Sequence, residues 1–76
     1  MSVLPRISGR VAVAALAKAG YVLDRQKGSH MILRQVDFPY RRVVVPDHDE
    51  IAKGTLRAIV KQSGLTLAEF KAFLGH

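Results

Sequence analysis

Residues 21–46, "YVLDRQKGSHMILRQVDFPYRRVVVP", constrain the fold more than any other stretch. Three runs of strand-forming residues, "YVLDRQ", "HMILRQ" and "RVVVP", are separated by "KGS" and by "VDFPYR". In the first break Gly28 can take a positive φ, and in the second Asp37 and Pro39 mark a turn. Connections this short join antiparallel neighbours, so the expected sheet is a three-stranded meander. Val43 and Val45 share a face and are the clearest inward candidates. The second strand has apolar residues on both faces, but Arg34 falls on the same side as His30 and turns that side toward solvent.

Helical patterns flank the sheet. In "SGRVAVAALAKAG" Ser8 is suited to the N-cap and Gly20 to the left-handed position after the last turn, with Ala12, Val13, Leu16 and Ala19 toward the core. The opposite side, Val11, Ala14 and Ala17, is uncharged. In "AKGTLRAIVKQSG" the inward face is Leu56, Ile59, Val60 and Ser63, while Lys53, Arg57 and Lys61 form a basic stripe read as a solvated helix face. Thr66 and Glu69 make a capping box that opens a short last helix carrying Leu67, Phe70, Phe73 and Leu74. Gly75 and His76 are expected to fray.

The order is therefore α-β-β-β-α with a short C-terminal helix: an α+β fold in which a three-stranded antiparallel sheet has its helices on one face. That layout resembles the double-stranded RNA-binding domain. Residues 1–76 leave room for one domain.

Charge narrows the partners. Twelve Lys and Arg against six Asp and Glu give +6, and residues 1–46 hold eight of the bases and two of the acids. This distribution suits a polyanion such as nucleic acid, although an acidic protein or a membrane surface would match the same sign. No cysteine is present, which excludes disulfides, thiolate metal sites and a cysteine nucleophile. With no signal-like apolar run in "MSVLPRISGR" and no stretch near the ~18 apolar residues of a membrane span, the expected location is the cytoplasm.

Chemistry must come from few residues. The three histidines, His30, His48 and His76, lack metal-ligand spacing, and no nucleotide-binding glycine loop or nucleophile elbow occurs, so neither metal nor cofactor is expected. The distinctive feature is a histidine in a basic hairpin, with Arg25, Lys27 and Ser29 before His30, Arg34 after it, and Arg41 and Arg42 in the next segment. Metal-free RNA cleavage needs a proton taken from the ribose 2′-OH, a stabilised phosphorane and a proton given to the departing 5′-oxygen. Histidine can perform either transfer, and fixed cations can stabilise the added charge. On residue chemistry alone, a lone histidine beside a turn is more often a solvated or partly packed side chain, and Ser29 fits ordinary turn chemistry.

Taken together, "SGRVAVAALAKAGYVLDRQKGSHMILR" and "RRVVVPDHDEIAKGTLRAIVKQSGLTLAEF" resemble the HicA family of type II toxin–antitoxin toxins. The helix leading to "AGY", the "KGSH" hairpin, the strand exit "VVVP" with His48, and "KGTLRAI" carry the likeness over nearly the whole chain. The resemblance implies an RNA-binding-domain-like fold, a metal-independent endoribonuclease acting on mRNA without the ribosome, and neutralisation by a HicB-like antitoxin. It puts the catalytic histidine at His30. Arg25, Lys27, Ser29, Arg34 and Arg42 are then candidates for holding RNA, and His48 is a loop residue and a second site candidate. The alternatives are a non-catalytic RNA-binding module and a protein-interaction unit whose acidic partner masks the basic patch. One departure stands out: where the family often has a short Asp-Gly turn, this chain has "VDFPYR", with Phe38 and Tyr40 free to stack on a base, to fill a partner's pocket, or to fold over the sheet edge.

Overall fold

The structure is a computed structural model and describes residues 4–75. The fraying expected at His76 lies outside the described residues. Along the chain come α1 (Gly9–Lys18), β1 (Tyr21–Lys27), β2 (His30–Gln35), β3 (Arg42–Pro46), α2 (Lys53–Ser63) and α3 (Leu67–Phe73). The strands form one antiparallel sheet in the order β1-β2-β3. This is the α+β order and the sheet expected from the sequence.

Local signals account for the helix ends. The Ser8 hydroxyl accepts from the Val11 N–H at 3.2 Å and starts α1. Helix α2 ends at Gly64, whose φ of 79° lets its N–H turn back to the Lys61 carbonyl. Both halves of the α3 capping box form: the Glu69 N–H donates to the Thr66 hydroxyl at 3.1 Å, and the Thr66 N–H donates to the Glu69 carboxylate at 2.8 Å.

One face of the sheet is covered and the other is open. Met31 and Leu33 from β2 and Val43 and Val45 from β3 are buried against Ala12, Ala15 and Leu16 of α1, Leu56, Ile59 and Val60 of α2, and Phe70 of α3. On α1, Val13 and Ala19 are only half-buried and Ala15 is buried instead, because the helix is rotated slightly from the inward face expected. The inward face of α2 is as expected, Ser63 included.

The end of α2 is tied back to the sheet. Tyr21, buried at the start of β1, donates its hydroxyl to the Ser63 carbonyl at 2.8 Å, satisfying one of the four carbonyls a helix C-terminus leaves unpaired. Burial pushes the Tyr21 phenol above its ordinary value, and the positive charge of Arg41 offsets this in part. The Arg41 guanidinium lies against Gly64, so a cation also sits at the negative end of the α2 dipole.

Candidate active site on the sheet and in the adjoining groove

The hairpin of "KGSH" is a two-residue turn. Lys27 and His30 close it as a cross-strand pair, and Gly28 takes a φ of 57° that a side chain would resist. His30 therefore opens β2. Because Met31 and Leu33 point into the core, His30, Ile32 and Arg34 point to the open face.

The cross-strand register shows what accompanies them. Side chains of directly paired residues share a face. One row contains Lys27, His30 and Pro46, the next Arg25, Ile32 and Val44, and the next Val22, Arg34 and Arg42. Lys27 thus lies beside His30, and Arg25, Arg34 and Arg42 follow farther along the same face around a small apolar strip. Arg25 and Lys27 reach this face because the register shifts between Leu23 and Arg25, leaving Asp24 unpaired. Under strict alternation from the inward Tyr21, residues 23, 25 and 27 would all face the core side. The extra residue re-aims the second half of the strand, as a β-bulge does.

The β3 exit brings in His48. Beyond Pro46 the ladder continues for one more bond, the Asp47 N–H donating to the Ser29 carbonyl at 2.6 Å. That bond directly joins the residue before His30 to the residue before His48, and it is the contribution Ser29 makes. The same loop is held from the other side by α1, whose Gly9 N–H donates to the His48 carbonyl at 2.9 Å. At Gly9 a β-carbon would collide with the Pro46 carbonyl, so only glycine permits this approach. Arg10 forms two hydrogen bonds of 3.2 Å with the Asp47 carboxylate, and Gln26 adds one of 3.3 Å. Asp47 in the "DHDE" run is thus a tether, whereas Asp49 and Glu50 are the solvated acids expected there.

His30 and His48 line one groove of about 390 Å³, together with Val44, Pro46, Ala52 and Thr55. Its floor comes from β3 and its far wall from the start of α2. Ala52 occupies the N-cap of α2 without a side-chain acceptor, so the first turn presents backbone donors that no cap side chain occupies. Both histidines are solvent-accessible.

The groove brings together two of the residues singled out in the sequence, while Arg25, Lys27, Arg34 and Arg42 lie on the adjoining open face. Gly9, Arg10, Gln26, Asp47 and Thr55 were not legible as parts of the site. Only Gly9 carried a readable sign, a helix-weakening glycine immediately after a good N-cap. Among the described residues no group of three or more His, Cys, Asp or Glu is arranged to hold a metal ion, and no helix is long and apolar enough to cross a membrane. On the basic stripe of α2, Arg57 and Lys61 are exposed but also line a second groove of about 380 Å³ with Leu4, Val60 and Leu67.

Sequence comparison assigns the class. Residues 9–65 match the family model described as the HicA toxin of bacterial toxin-antitoxin, a span that includes α1, the whole sheet, α2 and both groove histidines. The class is therefore that of a toxin from a bacterial toxin–antitoxin system, which has an antitoxin as its partner. Within it, the chain belongs to the HicA toxin family. No curated protein matches it.

Proposed function

We propose that this toxin is a metal-independent endoribonuclease that cuts mRNA, with His30 and His48 as its two proton-transfer groups. The observation that carries the reading is the groove the two histidines share, beside a sheet face bearing Arg25, Lys27, Arg34 and Arg42. One imidazole takes the proton from a ribose 2′-OH as its oxygen attacks phosphorus. The other gives a proton to the departing 5′-oxygen, leaving a 2′,3′-cyclic phosphate and a 5′-hydroxyl. The four cations hold the flanking phosphates and, with the backbone donors of the α2 first turn, offset charge on the phosphorane. Ser29 acts through its carbonyl, which fixes the His48 loop.

A HicB-like antitoxin would neutralise such a site by covering the groove, and acidic groups on it would match the basic face. Loss of mRNA by cutting would block translation in the bacterial cytoplasm.

The test is cleavage of a defined mRNA in EDTA with the product ends mapped. His30→Ala should remove cutting and growth inhibition while circular dichroism stays unchanged. His48→Ala should slow cutting by about 10²–10⁴-fold. Undiminished cutting by His30→Ala would overturn the assignment. Salt-sensitive RNA binding without any product would make the protein a non-catalytic RNA-binding module instead.

A further inference from the structure

The β2–β3 loop has a feature that packing does not explain. Phe38 is 83% exposed and Tyr40 60% exposed, their rings 6.1 Å apart and nearly perpendicular. Neither ring belongs to the core, so they do not fold over the sheet edge to shield it. The loop is nevertheless well braced. The Tyr40 N–H donates to the Asp37 carbonyl at 2.8 Å, the Gln35 N–H to the Arg41 carbonyl at 2.8 Å, and the Arg41 N–H to the Gln35 side-chain oxygen at 3.1 Å. Tyr40 also takes a φ of 57°, a left-handed conformation unfavourable to a non-glycine residue. A braced loop therefore holds a large ring in water at a position where glycine would be easier to accommodate.

The electrostatic surroundings indicate what the rings meet. Residues 34–42 hold three arginines and one acid, Asp37. Arg34 and Arg42 are paired across the strands on the open face, and the ion pair among the described residues is Arg10–Asp47, so neither has a carboxylate. Exposed aromatic faces next to uncompensated arginines match unpaired nucleobases on a phosphate backbone, because every base has a π-face to stack and every linkage a negative charge.

We infer that Phe38 and Tyr40 form a stacking site for an unpaired base of the RNA that the groove cuts. For the identity of the polymer, this rests on the ribonuclease reading above. His30 and Gln35 are the two ends of β2, five residue steps and about 17 Å apart. The stacked base therefore lies a few nucleotides from the scissile bond, and the backbone between crosses Arg34, Arg42 and Arg25. The loop fixes the cut at a set distance from a single-stranded element.

The experiment uses full-length His30→Ala protein, so that RNA survives the measurement, with and without Phe38→Ala and Tyr40→Gly. Glycine is chosen at position 40 because it removes the ring and relieves the left-handed backbone. The probe is a short single-stranded RNA and a series of the same RNA with one abasic ribose moved along it. The double substitution should weaken binding by tenfold or more, with unchanged circular dichroism. With the rings present, the abasic ribose should weaken binding at one position, and without them that position dependence should vanish. Binding should also quench the fluorescence of Tyr40, the exposed member of the two tyrosines.

Equal affinity with and without the rings would overturn the stacking site while leaving the ribonuclease reading to its own histidine variants. A double variant that keeps RNA affinity but loses the antitoxin would assign the loop to the protein partner and also overturn it. No RNA binding by either protein would remove both readings together.

Discussion

At Gly9 the first turn of α1 comes so close to the Pro46 carbonyl that a β-carbon has no room, and the same residue's N–H holds the His48 carbonyl. Gly9→Ala should therefore act on stability and on the site together. We expect a loss of about 1–3 kcal/mol in denaturant unfolding, from overpacking against backbone that cannot rotate away. Cutting should fall further than the unfolded fraction explains, because the displaced segment carries one wall of the groove. Wild-type stability in Gly9→Ala would show that the two segments can separate without cost. His30 could be picked out from the sequence because its turn is written in four consecutive residues. The nearness of His48 could not, since it depends on the β2–β3 register and on a helix crossing set by residues near the N-terminus.

Among the elements, β1 departs most from its own pattern. The run "YVLDRQK" reads as a strand, and the cations at 25 and 27 were legible as companions of His30, but their arrival on its face depends on the bulge at Asp24. Nothing local in the run marks where alternation breaks. By contrast, Val43, Val45 and the inward face of α2 follow simple periodicity and were legible. The link between β1 and α2 adds a prediction of its own. Tyr21→Phe removes the hydroxyl that satisfies the Ser63 carbonyl and should cost about 1–3 kcal/mol, because that carbonyl is left without its partner. The phenol is raised in the folded state, so its contribution is complete below the unfolded value near 10.0 and is lost as pH rises through the folded value. Wild type should lose stability at alkaline pH, and Tyr21→Phe should lose less. Parallel declines in both proteins would place the alkaline transition elsewhere.

Across the whole molecule the two sides of the sheet do different work. One side meets three helices and holds the fold together, and the other carries the cations, so its charges can change with little effect on the core. Replacing Arg25, Lys27, Arg34 and Arg42 by Gln should leave thermal unfolding nearly unchanged. The salt dependence of RNA binding should flatten by about 0.7 in the log–log slope for each phosphate that is no longer neutralised. An unchanged slope would mean that RNA does not cross this face.

The groove is assembled from parts far apart along the chain. Its lining runs from His30 to Thr55, and the loop between is braced by Gly9 and Arg10. A polypeptide whose synthesis stops short of Thr55 possesses the "KGSH" hairpin but has no far wall to the groove, and its β3 exit has no helix start to face. Incompletely made copies therefore lack a finished groove: His30 and His48 gain their facing wall only once most of the chain has been made.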